Sequence, residues 1–372
     1  MRISPLLSKF KFSVKCSDGE GGGGRASASA LAEARVVFCA APAMGHNHHQ
    51  GSHPECSSRV PAILETLQNL ELTPKFLSKE VVEIQNFKSA SRDDILGVHS
   101  VTYVRGLEKT FFEAMLAAGA GITLVDSAVA ASKITNNPPA GFALVRPPGH
   151  HAVPRGPMGF CVFGNVAIAA RYAQRIHGLQ RVLIIDFDVH HGNGTNDAFY
   201  EDPDVCFIST HQEGSYPGTG KMEEVGKGSG EGTTLNFPLP GGAGDQAISA
   251  VFNEVIVPAA QRFKPDIILV SAGYDAHVLD PLGGFQFTTG TYYKLALFIK
   301  QLAQELCGGR CVFFLEGGYN LKSLSYSVAD TFRAFLGKAS IASKIDNPAI
   351  LYDEPILLVD KAIAKIKAIH AL

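Results

Sequence analysis

Two aspartates and two histidines lie close together in the stretch VLIIDFDVHHGNGT, residues 182–195. The aliphatic residues at its start predict a buried strand, and burial of Asp186 and Asp188 at the end of that strand is costly unless a cation compensates them. Asp188 and His190 are two positions apart, so in an extended segment they project from the same face. A carboxylate and an imidazole on one face predict half of a zinc site.

A catalytic zinc takes a third protein ligand and keeps one position open. Asp275 is the best candidate, because it follows the apolar strand in DIILVSAGYD and because Gly273 would permit close approach. The alternative for Asp275 taken alone is the cap of a helix or turn. Asp275 follows a predicted strand, as the other candidate catalytic residues do, and this shared position favours the interpretation as a metal ligand.

A predicted acid/base pair and a predicted hydrogen-bond donor complete the site. His150 and His151 follow the rigid sequence RPPG. Asp186 would hold His150 cationic, whereas the neutral Asn193 would orient His151 without raising its pKa as much. Tyr319, in LEGGYN, could donate a hydrogen bond to an oxyanion, the alternative being a rim tyrosine used only for packing.

Alternating strand and helix patterns predict an α/β fold with a largely parallel sheet flanked by helices, in one domain over 35–372. The strands are predicted at 36–40, 141–145, 182–188, 205–210, 235–238, 266–271 and 312–315. The helices are predicted at 60–70, 110–132, 165–177, 246–263, 289–306 and 323–336. Five motifs rich in chemical residues each follow a predicted strand, so they should meet at the carboxyl edge of the sheet.

Residues 1–34 differ from the rest of the chain. The start MRISPLLSKFKFSVKCS is basic, rich in serine and free of acids, and a glycine run follows at 21–24. This composition is typical of an organellar transit peptide, and VKCS favours a plastid over a mitochondrion. The alternatives are an ordinary disordered terminus and a cytosolic or nuclear protein.

Composition restricts the partners. A net charge of −2 without a long basic run argues against direct binding of nucleic acid. No stretch has 18 uninterrupted apolar residues, which argues against a membrane span. Seven scattered cysteines indicate a reducing compartment and not a disulfide framework. The oligomeric state is left open.

Taken together, the motifs resemble those of the histone deacetylases, in particular class II-like members of the plant organellar type. The resemblance runs from about residue 35 to the C-terminal region and is carried by HPECSSRV, RPPGHHA, GFCVFGNVAIAA, DFDVHHGNGT, YPGTG, SAGYDAH, DPLGG and LEGGYN. It implies an arginase/deacetylase-like fold with the active site at the C-terminal ends of the strands. It also implies one zinc per chain on Asp188, His190 and Asp275, with the roles given above for the histidine pair and Tyr319.

The resemblance further implies a narrow substrate tunnel. Phe160 and Tyr216 match its aromatic walls, and Leu282 stands where polyamine-selective relatives carry an acid. A potassium ion is implied near the zinc strand, chiefly on backbone carbonyls. The positions that match it are Asp186, Asp188, His190, Ser209 and Thr210.

The implied activity is zinc-dependent hydrolysis of the acetyl amide of N-acetyl-lysine in histone or non-histone proteins, with release of acetate. One alternative is deacetylation of a small acetylated amine. Another is a weakly active or inactive acetyl-lysine-binding module, because the loop near 103–112 is shorter than in the family. An arginase-like two-manganese enzyme is disfavoured, since Asn193 lies outside the D-x-H-x-D spacing that such a site uses.

Overall fold

A single parallel sheet forms the centre of the protein. The computed structural model describes residues 26–42, 53–106 and 111–372, and within them eight strands pair in the order β2-β1-β3-β8-β7-β4-β5-β6. Every neighbouring pair is parallel. The strands are β1 Val36–Ala41, β2 Val81–Glu83, β3 Ala140–Val145, β4 Val182–Asp186, β5 Val205–Gln212, β6 Thr234–Leu239, β7 Ile267–Ala272 and β8 Cys311–Leu315.

Helices cover both faces of this sheet. Apolar side chains of α1, α5 and α6 form the core on one face, and those of α2, α10, α11 and α13 contribute to the core on the other. The helices are α1 Ala28–Glu33, α2 Arg59–Asn69, α3 Arg92–Leu96, α4 Val101–Gly106, α5 Phe111–Ser132, α6 Asn165–His177, α7 Asn193–Phe199, α8 Asp245–Val251, α9 Val257–Phe263, α10 Thr289–Cys307, α11 Leu321–Leu336, α12 Ala342–Ile345 and α13 Ile356–His370. The predicted fold class is confirmed.

The four central strands are buried along their whole length. Every residue of β3, β8, β7 and β4 is buried. Their sequences are continuous apolar runs, as expected of parallel strands that are covered on both faces. Polar side chains therefore enter this layer only near the strand ends, where Asp186 lies.

Helix α5 is largely apolar because it lies in the core. Its segment Phe112–Ser132 is long and apolar enough to cross a membrane, but 72% of its 18-residue window is buried inside the protein. The helix packs on β1 and β3. Burial by the fold accounts for the apolar composition.

Several element boundaries differ from those predicted. Strand β4 ends at Asp186, two residues early, and the three-residue strand β2 was too short to be recognised by alternation. The single helix predicted at 246–263 is interrupted by a π-helical turn over Phe252–Ile256. Pro258 follows that turn, and a proline lacks the N–H of a regular helical turn, so a local widening of the helix accommodates it.

The ordered fold begins earlier than residue 35. Helix α1 is capped by Ser27, and its Leu31 is buried against α5. The described fold therefore extends beyond the domain boundary predicted at residue 35. Residues 1–25, which contain most of the predicted transit peptide, lie outside the described residues, as do 107–110 of the shortened loop.

One carboxylate attaches the C-terminal segment to the body of the protein. Glu354 accepts hydrogen bonds from the backbone N–H groups of Gly244, Gln246 and Ala247, at 2.8–2.9 Å, where α8 begins. We expect Glu354→Ala to lower the free energy of unfolding by about 1–2 kcal/mol in urea denaturation, because three N–H groups lose their acceptor. The neighbouring exposed Asp353→Ala is the control and should change it by less than about 0.5 kcal/mol. Equal effects of the two variants would contradict the capping role.

Candidate active site

The loops after five adjacent strands carry the candidate catalytic residues, which therefore lie at one edge of the sheet. The motif-bearing loops follow β3, β8, β7, β4 and β5, which are consecutive neighbours in the sheet. Because all strands are parallel, their carboxyl ends lie on the same side. Residues separated by more than a hundred positions in sequence thus meet above the centre of the sheet.

Asp188, His190 and Asp275 form a compact group. The Nδ1 atom of His190 lies 3.1 Å from Asp188 Oδ1 and 3.2 Å from Asp275 Oδ2. The possible ligand atoms of all three lie within 4.8 Å of one another. Two carboxylates and an imidazole around one point are a donor set that suits zinc.

Two glycines beside this group leave the space that its carboxylates occupy. A Cβ atom on Gly273 would lie 2.1 Å from Asp188 Oδ2, and one on Gly317 would lie 2.0 Å from Asp275 Oδ2. The N–H of Gly317 donates to Asp188 Oδ2 at 2.9 Å, and that of Val189 donates to Asp275 Oδ1 at 3.1 Å. Asp275 itself lies three residues beyond the end of β7, in the following loop and not at the strand end.

The electrostatics of this group favour a cation. Burial disfavours the charged imidazole, yet the hydrogen bonds and charges of Asp188 and Asp275 raise the pKa of His190 to about 11. The proton that these carboxylates hold on Nδ1 is the one that a metal ion would displace, since metal ligands must be deprotonated. The residues present therefore fit the zinc ion implied by the sequence.

The two histidines stack beside the metal group with different partners. Their ring centroids are 4.0 Å apart. His150 Nδ1 lies 3.1 Å from Asp186 Oδ2, whereas His151 Nδ1 lies 2.8 Å from Asn193 Oδ1. The amide nitrogen of Asn193 faces the sulfur of Met158, so the amide oxygen is the atom that faces His151.

These environments push the two pKa values apart. For His150, burial is outweighed by the charges of Asp188 and Asp186, which raise its pKa to about 10. For His151, burial and the neighbouring His150 hold the pKa well below its usual value. A neutral His151 that donates through Nδ1 to Asn193 keeps a lone pair on Nε2. The pair thus consists of one charged and one basic imidazole.

Tyr319 and the exposed aromatic residues Phe160 and Tyr216 lie close to these histidines. The Phe160 ring contacts Tyr319 edge-on at a centroid distance of 5.9 Å, and the Tyr216 ring contacts His151 at 5.1 Å. Phe160, Tyr216 and Leu282 are 41%, 47% and 39% exposed. Leu282 is joined to this region through the bond from its N–H to Asp280. His53, which the sequence did not single out, packs on Phe160 at 4.7 Å.

The residues that match the potassium positions also lie together. Asp186 and Ser209 are register partners in the pairing of β4 with β5. The Thr210 hydroxyl donates to the Asp186 carbonyl at 3.4 Å, and the Ser209 hydroxyl bonds His211 Nδ1 at 2.9 Å. Potassium binding at these positions stays a prediction.

Glu316 is a buried carboxylate that the sequence reasoning missed. Its Oε2 accepts from the N–H groups of Gly149 and His150, at 2.6 and 3.1 Å, and its Oε1 accepts from the Ser271 hydroxyl at 3.1 Å. It lies near His150 and Cys161, but its hydrogen bonds already occupy both oxygens, so we assign no second metal there. The sequence could have indicated Glu316 as a candidate, because it is an acidic residue at the end of a buried apolar strand, as Asp186 is.

A buried ionic cluster supports the same edge and was also missed. Glu55 pairs with Arg59 and Arg146, and all three side chains are almost fully buried. Arg59 donates to the carbonyls of Gly318 and Glu316, at 2.7 and 2.6 Å, and its guanidinium lies over the Tyr319 ring at 5.1 Å. Glu55 and Arg59 belong to the motif HPECSSRV, and as the charged residues of that motif they could have been recognised as candidates from the sequence.

Comparisons with known proteins agree with this geometry. Residues 108–335 match the histone deacetylase domain. Histone deacetylase 14, chloroplastic, of Arabidopsis thaliana is 61% identical over 392 residues, covering 99% of this chain and 92% of that protein. Histone deacetylase 10, chloroplastic, of Oryza sativa subsp. japonica is 64% identical over 366 residues, covering 92% and 82%. A crystal structure of the HDA15 HD domain superposes with a TM-score of 0.77 at 32% identity, covering 90% of this chain and 95% of that one.

The neutral partner of His151 can be tested directly. We expect Asn193→Asp to raise the pKa of His151 by on the order of 1 unit, because a carboxylate at Nδ1 stabilises the imidazolium. NMR titration of the histidine side chains in the metal-loaded protein measures this shift. Asn347→Asp, at an exposed position, is the control and should leave the pKa of His151 unchanged. An unshifted His151 in a folded Asn193→Asp variant would contradict the assigned contact.

Proposed function

Because the chain belongs to the histone deacetylase family, we propose that it hydrolyses the acetyl amide of N-acetyl-lysine in proteins and releases acetate, with one zinc ion per chain. That it is a deacetylase-type hydrolase follows from the family itself. The observation that carries the finer proposal is the placement of the Asp188–His190–Asp275 group beside two histidines of opposed pKa.

Asp188, His190 and Asp275 would hold the zinc. When bound there, zinc supplies Lewis-acid polarisation of the substrate carbonyl and makes a water molecule more acidic. The two buried carboxylates would balance the charge of the ion. The N–H donors of Gly317 and Val189 help to orient both carboxylates.

His151 is proposed as the general base. Its depressed pKa keeps it neutral, and its Nε2 can take the proton of the attacking water and later return it to the leaving amine. His150 would stay cationic through Asp186 and stabilise the negative charge that develops on the substrate. The different hydrogen-bond partners thus give two adjacent imidazoles different roles.

Tyr319 is proposed as the oxyanion donor. Burial and the charge of Asp275 raise the pKa of its phenol well above the usual value. The hydroxyl therefore stays protonated and can donate a hydrogen bond to the oxygen of the tetrahedral intermediate. Phe160, whose ring contacts Tyr319, would line the channel that leads the acetyl group to this donor.

The side chains at the surface end favour an acyl-lysine side chain as substrate. Phe160 and Tyr216 offer aromatic faces to the aliphatic part of a lysine, and Leu282 adds an apolar contact. A polyamine would instead place a second cation near this mouth, where Leu282 provides no carboxylate. A small acetylated amine with one apolar chain remains the second candidate.

The cellular location bears on the substrate. Two relatives, at 61% and 64% identity, are named as chloroplastic, which confirms the plastid localisation predicted from the sequence. In a plastid, non-histone proteins are better candidates than nuclear histones. We therefore propose acetylated plastid proteins as the substrate class, and potassium at the end of β4 as a second ion.

The reaction is tested by the release of acetate from an acetyl-lysine peptide by the purified, zinc-loaded protein. We expect Tyr319→Phe to lower kcat by about 10²–10³-fold, because one oxyanion donor is lost, while zinc stays at one per chain. Removal of zinc by a chelator should abolish the activity, and added zinc should restore it. A folded, zinc-loaded wild type without activity would overturn the proposed substrate, and a protein that binds no zinc would overturn the assigned ligands.

The role of Leu282 is tested by a change of charge. We expect Leu282→Glu to raise kcat/KM for an N-acetylated polyamine and to lower it for a neutral acetyl-lysine peptide, because a carboxylate at the mouth attracts the second amine. Leu282→Gln has a similar size without the charge and is the matched control. If both variants changed the two substrates alike, Leu282 would not set selectivity.

A further inference from the structure

Tyr319 depends on its backbone for its position. It lies between the end of β8 and the start of α11, directly after Gly318, whose φ is +115°. Its ring is contacted by Arg59 and Phe160, and within the described residues its hydroxyl has no hydrogen-bond partner. Without a hydrogen bond from its hydroxyl, this side chain is placed by its packing and by the segment that carries it. Whatever fixes the backbone of this segment therefore fixes the hydroxyl.

The carboxylate of Asp280 binds the N–H groups of this segment on the C-terminal side of Gly318, whose carbonyl accepts from Arg59. Asp280 Oδ2 accepts from the N–H groups of Tyr319 and Asn320, at 2.6 and 3.1 Å. The side chain of Asp280 is only 6% exposed, so these bonds are shielded from water. Asn320 adds a bond from its side-chain amide to the Leu279 carbonyl at 3.2 Å. The two loops are thus joined beside the phenol.

The other oxygen of Asp280 reaches the mouth of the site. Its Oδ1 accepts from the N–H of Leu282 at 3.1 Å. Leu282 is the exposed side chain at the surface end, and Tyr319 is the proposed donor to the oxyanion. One carboxylate therefore bonds the backbone of both residues. A neutral amide at this position has only one acceptor oxygen and cannot satisfy both groups of donors.

The loop that carries Asp280 is itself anchored. The Val278 N–H donates to the Phe287 carbonyl at 2.9 Å, and the Phe287 N–H donates to the Ala276 carbonyl at 3.1 Å. His277, between these two positions, forms an isolated parallel bridge with Phe287. The Asp280 N–H donates to the His277 carbonyl at 2.8 Å. The carboxylate is therefore presented from a fixed backbone and not from a free loop tip.

We infer that Asp280 is a positioning residue, which holds Tyr319 at the distance from the substrate that oxyanion stabilisation needs and couples that position to Leu282. The inference rests on the proposed deacetylase function. A carboxyl group that accepts from three backbone N–H groups through both of its oxygens is fixed in direction, which suits this role. Loss of the carboxylate should lower the rate of the chemical step more than the binding of substrate, because the donor acts in the transition state.

The test compares Asp280→Ala with the wild type, with Tyr319→Phe and with the double variant, all zinc-loaded. We expect Asp280→Ala to lower kcat by about 10²-fold and to change KM by less than about threefold. In the Tyr319→Phe background the same change should cost less than about threefold in kcat, because the donor is already gone. Equal losses in both backgrounds would overturn the inference.

Hydrogen exchange gives a second readout that does not depend on activity. In the wild type the amides of Tyr319 and Asn320 should exchange slowly, and in Asp280→Ala a peptide covering 316–321 should exchange faster. Asp280→Asn, which keeps one acceptor oxygen, should lie between the two. Unchanged exchange in this peptide would overturn the inference even if the wild type proved inactive on acetyl-lysine, an outcome that by itself would count only against the proposed function.

Asp330→Ala is the matched control. Asp330 is a buried carboxylate of α11 that accepts from the Ile341 N–H, at 3.0 Å, and from the Ser340 hydroxyl. Its removal should lower the thermal stability in a similar way but leave kcat and the exchange of 316–321 unchanged. If Asp330→Ala lowered kcat as much as Asp280→Ala, the effect of Asp280 would be one of general stability.

Discussion

The arrangement of the site depends on two carboxylates that are buried without enough positive charge around them. Asp188 and Asp275 are fully buried, and their nearest cationic groups within the described residues are the imidazoles of His190 and His150. Both imidazoles respond with raised pKa values. A divalent cation would neutralise this excess of negative charge at the end of an apolar sheet. The same excess accounts for the shifted pKa values of the ionisable residues at this edge.

Around this charge, the protein controls orientation mainly through backbone groups. Carboxylates that are not metal-ligand candidates bond the backbone of the loops that carry the chemical residues: Glu316 holds the histidine loop and Asp280 holds the tyrosine loop. Arg59 joins the same network through the carbonyls of Gly318 and Glu316. Each loop is therefore fixed from a different strand, and the site keeps its geometry only as long as the parallel sheet holds its register.

Different hydrogen-bond partners give the two adjacent histidines different protonation states. His150 and His151 are adjacent in sequence and stacked in space, yet a carboxylate faces one and an amide faces the other. The family relationship makes the chain a deacetylase-type hydrolase, and the local partners determine which imidazole can accept a proton. Under the proposed function, selectivity would instead depend on the exposed residues Phe160, Tyr216 and Leu282.

The sequence by itself determined the parallel α/β class and seven of the eight strands, because continuous apolar runs bounded by glycine and charge have few other interpretations. It also determined which residues could do chemistry, because carboxylates and histidines directly after buried strands are too costly to occur without a purpose. It could not determine that Glu316, Asp280 and Arg59 support them. Those contacts join residues 39 to 259 positions apart. Only the strand order β3-β8-β7-β4-β5 and the packing of α2 on α11 bring them together. Local sequence patterns indicate which residues are buried and whether a segment has the periodicity of a helix or of a strand. Which strands pair across the sheet, in contrast, depends on the packing of the whole chain.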